Sequence, residues 1–528
     1  MSLSLLPKPT LEQTDIITSV LRKTSIVVKA SAGTGKTSTL VFIAYALSHL
    51  KILYLAFGKA IELEAKERFP SNVLTKTTHA IAYRCVAKII NLRSVRGEYK
   101  PIEIAEKLNL LNRSFGKIIA LVFQEFCNSA ESTITYDFIK KAALKNIELA
   151  SYLKLGDKVM TEVAKYATAL FEMMKTGTIA PTHSFYLKFY QLSGLAEKER
   201  FDVILLDEAQ DTNEVTLDIL RQLKGQKIVV GDDDQKIFGF RGSLSIMNMF
   251  SEAIILTLTQ SFRFNQNIAD HANRLLGLFK GSQTKIIGLG KFDTKTLIKS
   301  DAYITRTNAE IINLIVSALE KGTYGDDWKT VRKPDEIFAL PLALVKLFIN
   351  QNIDYYIMPQ FQWLREFRSL SEIEAFLEEN EDPELKTAVK TAQNYAERLL
   401  SFLWEAQIRF NNTDANTFFT TAHTSKGLEW HNVTVCTDFI SPLDQIANHY
   451  DGIDAFMKAK GPIKDAINEE INLLYVAMTR TKEMLIPLFD DANLILRTPD
   501  EDVFFTVNDE ISRRHQKIKA AKKALMKK

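Results

Sequence analysis

Residues 26–37 read IVVKASAGTGKT, and this stretch is the strongest structural signal in the chain. The β-branched run Ile26–Lys29 predicts a short buried strand. A glycine-rich turn follows, and the pattern then predicts a helix from about Lys36. A strand that runs through such a turn into a helix is the setting that a phosphate-binding loop requires. The stretch therefore indicates an α/β fold that binds a nucleotide.

The glycines explain how this loop would hold a phosphate. Gly33 and Gly35 let the backbone curl so that its N–H groups face an anion, and the following helix N-terminus adds a favourable dipole. Lys36 is expected to reach the β- and γ-phosphates, and Thr37 to hold Mg²⁺. The first position of the strict pattern is alanine here instead of glycine. The predicted nucleotide-binding residues are Ala30, Ser31, Ala32, Gly33, Thr34, Gly35, Lys36 and Thr37.

A second site is predicted in the stretch VILLDEAQD, residues 203–211. Four apolar residues that end in two carboxylates describe a buried strand with a charged tip. Asp207 would bind Mg²⁺, and Glu208 would orient and deprotonate the attacking water. Together with the phosphate loop, this pair predicts hydrolysis of a nucleoside triphosphate.

Further apolar runs alternate with helical patterns and predict parallel sheets that are covered on both faces. Two stretches with helical spacing interrupt this alternation, so we expect two α/β cores with one mainly helical insertion each. A long helical run, ELKTAVKTAQNYAERLLSFLWEAQ, lies in the second insertion. The strand candidates are Ile26–Lys29, Ile52–Phe57, Asp202–Leu206, Lys227–Val230, Ala302–Thr305 and Asn432–Cys436. The predicted segments are core 1A (1–84 and 186–258), insertion 1B (85–185), core 2A (259–320 and 412–510), insertion 2B (321–411) and a basic tail (511–528).

Composition limits the class of protein. The chain has 528 residues, of which 46% are hydrophobic and 25% charged, as in folded globular proteins of several domains. Its apolar stretches are far shorter than the ~20 residues of a membrane span, and the N-terminus lacks a signal-peptide pattern. Cys85, Cys127 and Cys436 are too widely separated for a disulfide framework or a CxxC metal site. We therefore expect a cytoplasmic protein, associated with the nucleoid in a prokaryote or phage, that does not contact a membrane.

The C-terminal residues 511–528 are strongly basic. They contain eight Lys or Arg and no acidic residue, whereas the whole chain carries a net charge of +3, which leaves −5 on the other residues. This asymmetry fits an appendage that contacts a polyanion, and it fits equally a solvated, frayed terminal helix.

The order of the motifs resembles that of the superfamily 1A DNA helicases, the UvrD/Rep-like family, from about residue 10 to about residue 495. Beyond the two sites above, the resemblance rests on KTTHAIAYR, VVGDDDQKIFGFRG, TQSFRFN, YITRTNAE, FFTTAHTSKGLEW and EEINLLYVAMTR. THSFYLKFYQL, from Thr182, is similar to the helicase portion of the F-box DNA helicases. The family fold would be two RecA-like P-loop cores. Because the phosphate loop begins thirty residues into the sequence, we expect no F-box-like segment before it and do not transfer a ubiquitin-ligase role.

The resemblance implies further roles at ATP. An arginine that reaches the nucleotide from a separate core stabilises transition-state charge only when the cores close. The implied roles are adenine recognition by Gln13, γ-phosphate sensing by Gln235, adenine stacking by Phe262, γ-phosphate contact by Arg263, ribose contact by Glu429 and a second arginine finger at Arg480.

The resemblance also implies contacts with single-stranded DNA. Aromatic rings stack on bases at ~1–3 kcal/mol per base. For the aromatic residues and His79, packing in the core is the competing interpretation, and packing is the favoured role for His183. The implied DNA-binding residues are Phe57, Thr78, His79, Phe238, Phe240, Arg241, His423 and Ser425.

These residues predict an ATP-dependent, Mg²⁺-requiring motor on single-stranded DNA and single-strand/duplex junctions, monomeric when free. The resemblance implies 3′→5′ movement and duplex unwinding in DNA repair, recombination or replication. A translocase that strips proteins from DNA is a second interpretation, because the second insertion of about ninety residues is short for the family. A non-motor ATP switch is a third, and RNA is not excluded as a substrate. The need for a protein partner stays open.

Overall fold

The computed structural model describes residues 8–92, 94–112, 115–239, 245, 250, 252–291, 298–379, 383–498 and 502–525. The chain forms two compact units. Unit 1 comprises Met1–Gln260 and Lys460–Glu469, and unit 2 comprises Ser261–Ala459 and Glu470–Lys528. Within the described ranges, we find no helix that combines the length and the apolar character of a membrane span.

Unit 1 is built on a six-stranded sheet in which all neighbouring strands are parallel. The spatial order is β3-β2-β4-β5-β1-β6. Parallel strands need crossover connections, which the intervening helices supply. The strands are β1 (Ile26–Ala30), β2 (Ile52–Ala56), β3 (Val73–Thr77), β4 (Arg200–Leu206), β5 (Lys224–Gly231) and β6 (Ile254–Leu258).

Helices cover both faces of this sheet. Val27 and Leu53 belong to the core cluster of one face, while Val28 and Tyr54 belong to that of the other. This alternation follows from the period of two along a strand. The helices are α1 (Leu11–Leu21), α2 (Lys36–Ala46), α3 (Lys59–Arg68), α4 (Thr78–Val86), α5 (Pro101–Lys107), α6 (Phe115–Asn128), α7 (Tyr136–Ala143), α8 (Ile147–Tyr152), α9 (Asp157–Lys175), α10 (His183–Leu192) and α11 (Glu214–Gln222).

Unit 2 contains a five-stranded parallel sheet in the order β10-β11-β9-β12-β13. A separate pair joins β7 to β8. The strands are β7 (Gln260–Ser261), β8 (Ile287–Gly288), β9 (Asp301–Thr305), β10 (Trp328–Thr330), β11 (Thr417–Thr421), β12 (Trp430–Val435) and β13 (Thr481–Pro487). The fold class is therefore as predicted: α/β, with two parallel sheets and a mainly helical insertion in each core.

The helices of unit 2 between residues 308 and 409 pack around an apolar core that includes Ile312, Phe338, Leu403 and Phe419. Helix α20 begins in the segment 460–469 and continues through residue 478. The helices are α12 (Gln266–Lys280), α13 (Asn308–Lys321), α14 (Pro334–Leu344), α15 (Leu370–Glu379), α16 (Pro383–Tyr395), α17 (Arg398–Arg409), α18 (Pro442–His449), α19 (Ile453–Lys458), α20 (Pro462–Met478), α21 (Asp490–Arg497) and α22 (Val503–Leu525).

The helical run predicted in the second insertion is helical but contains a break. The long helical run of the second insertion is two helices, α16 and α17, instead of one. Between them, Ala396 adopts φ 45°, in the left-handed region. An L-residue there ends the right-handed helix. The sequence carries no glycine or proline at this point that could have signalled the break.

Helix α22 includes most of the basic tail and is anchored at its start. Val507 and Ile511 are fully buried. The Arg514 guanidinium donates to the Asp444 and Asp491 carboxylates, at 2.9 and 3.2 Å. The first part of the tail is therefore packed against unit 2, and its role toward a polyanion stays a prediction.

A buried lysine joins the helical segments of unit 1. Lys188, on α10, is fully buried, and its ammonium donates to the Ser129 carbonyl at 2.9 Å and to the Glu131 carbonyl at 2.5 Å. It also lies 4.3 Å from the centre of the Phe126 ring. Burial lowers the pKa of Lys188 from 10.5 to about 8.

This shift predicts a pH-dependent stability. Between pH 8 and 10.5 the unfolded chain binds more protons at Lys188 than the folded chain, so this residue's contribution to the free energy of unfolding rises with pH. The free energy of unfolding of wild type, minus that of Lys188→Met, should therefore rise across this range, by on the order of 2 kcal/mol. Urea unfolding measures it, with the exposed Lys175→Met as control. A constant difference would contradict the prediction.

Candidate functional site

Predicted site residues of unit 1 gather at one edge of its sheet. The phosphate loop follows β1, the Asp207–Glu208 pair follows β4, and Gln235 lies shortly after β5. These three strands are neighbours in the order β4-β5-β1. Because parallel strands share one carboxyl edge, the three segments meet there, where open α/β sheets bind their ligands.

The phosphate loop has the predicted backbone. Gly33 and Gly35 adopt φ 73° and 78°, in the region that favours glycine. Gly35 is also the residue that precedes helix α2. Inside the loop, the Thr34 hydroxyl donates to the Ser31 carbonyl at 2.9 Å. A glycine at the start of the helix supplies no capping side chain, which suits a loop that binds an anion through N–H groups.

The two predicted Mg²⁺ ligands are adjacent. The Thr37 hydroxyl donates to Asp207 Oδ2 at 2.7 Å, and the Glu208 N–H donates to Oδ1 at 2.9 Å. Burial raises the pKa of Asp207 above its ordinary value, and the neighbouring Glu208 raises it further. Mg²⁺ in phosphate-transfer sites takes one or two protein oxygens beside water and substrate phosphates. One hydroxyl and one carboxylate at this spacing fit that ion.

Glu208 lies within reach of the loop lysine. Its carboxylate is 3.8 Å from Lys36 Nζ, and Gln210 Nε2 donates to it at 2.5 Å. Glu208 has φ 49°, a left-handed conformation that is rare for a residue with a side chain. Such strain persists where the surrounding structure fixes it, as it does at many functional sites. The geometry suits a carboxylate oriented for proton transfer.

Asp232 and Gln210 complete this site, and sequence reasoning missed both. Gln235 Nε2 donates to Asp232 Oδ2 at 2.6 Å, and Gln210 Oε1 accepts the Asp232 N–H at 2.9 Å. Burial raises the pKa of Asp232 to about 6, although Lys36 opposes the shift. Gln210 thus joins the predicted base, Glu208, to the segment that holds the predicted γ-phosphate sensor.

Tyr54 was also missed. It lies on β2, is fully buried, and its hydroxyl donates to Asp207 Oδ2 at 3.0 Å. A tyrosine inside an otherwise apolar strand was the available signal, because a buried hydroxyl needs a partner.

Gln13 lies beside the phosphate loop, as its predicted role requires. Its side chain is buried and bonded at both ends, since Oε1 accepts the Thr10 N–H at 3.0 Å and Nε2 donates to Thr39 at 3.0 Å. Thr39 in turn donates to the Gly35 carbonyl at 2.9 Å. Adenine recognition by Gln13 stays a prediction.

The described DNA-binding candidates of unit 1 lie along the same sheet edge: Phe57 follows β2, Thr78 and His79 follow β3, and Phe238 follows β5. The Phe57 and Phe238 rings are nearly parallel, with an interplanar angle of 16° and centres 6.0 Å apart. Phe57 is 41% exposed. Phe238 is half-buried. Two parallel rings that solvent reaches are suited to stacking on bases. Phe240 and Arg241 lie outside the described residues.

A cavity of about 550 Å³ connects the two sets of predicted residues within unit 1. Phe57, Thr78 and His79 line it on one side, and Asp207 and Glu208 on another. The predicted DNA contacts and the predicted hydrolytic carboxylates therefore share one solvent space.

His183 lines this cavity together with His79. The Tyr186 hydroxyl is 3.0 Å from His79 Nδ1 and 3.3 Å from His183 Nδ1. Desolvation and the nearby His183 lower the pKa of His79 to about 4, although solvent still reaches the residue. His79 is therefore neutral at pH 7, and any contact with DNA would be a neutral hydrogen bond or a ring contact.

Three predicted nucleotide contacts of unit 2 also come together. Arg263 Nε donates to Glu429 Oε2 at 2.9 Å, and Arg263 Nη1 donates to the Thr479 carbonyl, next to Arg480, at 3.1 Å. Lys482, which sequence reasoning missed, is 2.8 Å from Glu429. Burial alone would raise the pKa of Glu429, but Lys482 and Arg263 hold it below the ordinary value.

The remaining predicted residues of unit 2 differ in exposure. Phe262 is 49% exposed, as a ring that stacks on a ligand should be. Arg480 is buried, and its Nε donates to the Val476 carbonyl at 3.0 Å. His423 lies half-buried in the turn after β11. Ser425 is fully buried and donates to the Ala422 carbonyl at 2.7 Å, so it closes this turn and its predicted DNA contact gains no support.

The comparisons with known proteins match both halves of the chain. The family model of the UvrD/REP helicase N-terminal domain matches residues 10–254, and that of the UvrD-like helicase C-terminal domain matches residues 138–489. F-box DNA helicase protein 1 of Schizosaccharomyces pombe is 29% identical, over 87% of this chain and 55% of its own length.

Two other relatives are also DNA helicases by name. F-box DNA helicase 1 of Gallus gallus is 27% identical, over 91% of this chain and 49% of its own length. DNA helicase II of Escherichia coli is 27% identical, over 48% of this chain and 38% of its own length. The chain thus spans about half the length of the F-box relatives it matches. With one family model covering more than half of its residues, the chain belongs to the UvrD-like helicase family.

Proposed function

We propose that the protein is an ATP-dependent, Mg²⁺-requiring motor that moves on single-stranded DNA. The observation that carries this proposal is the shared sheet edge of unit 1. Phosphate-binding and hydrolytic segments follow β1, β4 and β5, and the predicted strand contacts Phe57, Thr78 and His79 follow β2 and β3. One cavity is lined by these strand contacts and by the Asp207–Glu208 pair. The membership of the chain in the UvrD-like helicase family supports the same activity.

The residues of unit 1 suggest the hydrolytic step. Lys36 would neutralise charge on the β- and γ-phosphates, and Glu208 would accept a proton from the attacking water. Gln210 would hold the Glu208 carboxylate in position. Thr37 and Asp207 would hold Mg²⁺, which supplies charge neutralisation at the phosphates when bound.

Steady-state ATPase activity with and without single-stranded DNA tests the proposal. Strong stimulation by single strands would support a DNA-coupled motor. Hydrolysis that DNA leaves unchanged would favour the ATP switch. Single-stranded RNA of the same sequence belongs in the same assay, because the residues do not discriminate between the two substrates.

The aromatic pair should couple DNA to hydrolysis. Replacement of Phe57 or Phe238 by alanine removes one stacking surface, worth ~1–3 kcal/mol per base. We expect affinity for single-stranded DNA to fall about 5- to 150-fold in each variant, with ATPase activity in the absence of DNA nearly unchanged. Fluorescence anisotropy with a labelled oligonucleotide measures the affinity.

Phe505→Ala is the matched control for this pair. Phe505 is 69% exposed and lies on α22. Equal affinity of the Phe57 and Phe238 variants and wild type would show that the two rings serve packing only.

We further propose 3′→5′ movement and duplex unwinding, on the family resemblance, with repair, recombination or replication as the setting. A forked duplex with a single-stranded arm of defined polarity tests direction and unwinding together. DNA-stimulated ATP hydrolysis without strand separation would favour the translocase that strips proteins. The same assays, run over a range of protein concentrations, test whether activity depends on self-association. Repeating them with an added protein tests whether a partner is needed.

A further inference from the structure

Tyr54 contacts the carboxylate that the proposed function assigns to Mg²⁺. Its hydroxyl donates to Asp207 Oδ2 at 3.0 Å, and the Thr37 hydroxyl donates to the same oxygen at 2.7 Å. The other oxygen, Oδ1, accepts the Glu208 N–H at 2.9 Å. Three donors from three segments therefore fix both oxygens of one carboxylate.

We propose that Tyr54 is a positioning residue for the Mg²⁺ site and acts through Asp207. The inference rests on the proposed function, because it concerns the same site. Tyr54 does not touch substrate in this role. It would hold the Asp207 carboxylate in place beside the hydroxyl of Thr37, the other predicted Mg²⁺ ligand.

Packing alone does not explain a tyrosine here. Tyr54 is fully buried in the core between the sheet and its helices, where its ring lies 4.6 Å from the Phe69 ring. Phenylalanine would fill nearly the same volume without a hydroxyl to satisfy. A buried hydroxyl is unfavourable unless it has a partner, and its partner here is the predicted metal ligand.

The surroundings of Tyr54 make it a rigid support. It lies in the middle of β2, which pairs with β3 on one side and with β4 on the other. In β4, Leu205 is its register partner, two residues before Asp207. Side chains that orient a metal ligand typically change metal affinity 10- to 100-fold when they are removed.

The test compares Tyr54→Phe with wild type in the binding of a fluorescent, non-hydrolysable ATP analogue at a series of Mg²⁺ concentrations. We expect half-maximal enhancement of binding to need about tenfold more Mg²⁺ in the variant. Binding without Mg²⁺ should be unchanged, since the phosphate loop is intact. This readout does not depend on turnover.

Tyr190→Phe is the matched control. Tyr190 is equally buried in unit 1, and its hydroxyl lies near Cys85 and not at Asp207. It reports the effect of losing a buried hydroxyl on folding alone. A Tyr54→Phe variant with the same Mg²⁺ dependence as wild type and Tyr190→Phe would overturn the inference.

A double-mutant cycle with Asp207→Asn separates a positioning role from a general loss of stability. If Tyr54 acts through the carboxylate, Tyr54→Phe should change the Mg²⁺ dependence little further in the Asp207→Asn background. An additive effect would overturn the inference. Wild-type protein that fails to bind the analogue at any Mg²⁺ concentration would instead overturn the proposed function on which it rests.

Discussion

Lys36→Ala is expected to lower ATP turnover by about 10³-fold or more while leaving measurable affinity for single-stranded DNA. Lys36 is the cation of the phosphate loop, and its side chain is only 10% exposed. Its amine lies 3.8 Å from Glu208, the predicted base. Removing it takes away the charge that stabilises the transferring phosphoryl group. DNA binding should persist because the Phe57 and Thr78 segments follow other strands.

Lys29→Ala is the control for this variant. Lys29 lies on β1, which leads into the same loop, but its side chain is exposed. The control should keep wild-type turnover. Turnover in Lys36→Ala close to that of the control would show that residues 30–37 do not form the nucleotide site. Measuring turnover and oligonucleotide affinity on the same preparations excludes loss of folded protein as the cause.

How far the fold could be predicted depended on where each strand lies in its sheet. All six strand candidates are interior strands, because apolar runs such as Ile52–Ala56 are buried on both faces. The four edge strands of the two larger sheets, the interior strand β11 and the β7/β8 pair were not predicted. They are short or mix polar with apolar residues, as in VLTKT of β3 and WKT of β10. An edge strand has one neighbour and weaker burial, so its sequence carries a weaker pattern.

Site residues could be predicted where the chemistry is local in the chain. The loop at 30–37 and the pair at 207–208 each combine a backbone setting with a residue type over a few positions. Tyr54 and Lys482 could not be found this way. Tyr54 reaches Asp207 across 153 residues of sequence, through pairing of β2 with β4. Only the register of the sheet places it there.

Burial was equally hard to predict from motifs. Ser425 stands in a stretch that resembles a DNA-contact motif, yet its hydroxyl is bonded within its own turn. In this motif the Ser425 hydroxyl stabilises the turn. A side chain that stabilises a turn need not be the one that contacts a ligand. The neighbouring His423 is more accessible and keeps the predicted role.

Glu208→Gln is expected to lower ATP turnover by about 10²- to 10⁴-fold with nucleotide binding retained. The amide keeps the size of the side chain and can still bond to Gln210, but it cannot accept a proton from water. It also removes the negative charge that lies 3.8 Å from the Lys36 amine. With less negative charge beside the phosphates, ATP should bind at least as tightly as in wild type. Single-turnover hydrolysis and analogue binding measure the two effects separately.

Nucleotide binding distinguishes the expected result from that for Lys36→Ala. Both variants should lose turnover, but only Lys36→Ala should also weaken contact with the phosphates, because lysine binds them and glutamate repels them. Glu103→Gln is the matched control, since Glu103 is a similarly exposed glutamate of unit 1 whose carboxylate pairs with Arg96 at 2.8 Å. Turnover in Glu208→Gln equal to that control would exclude Glu208 as the base. A buried acid of the same sheet edge, with Asp232 the foremost candidate, would then have to take its place.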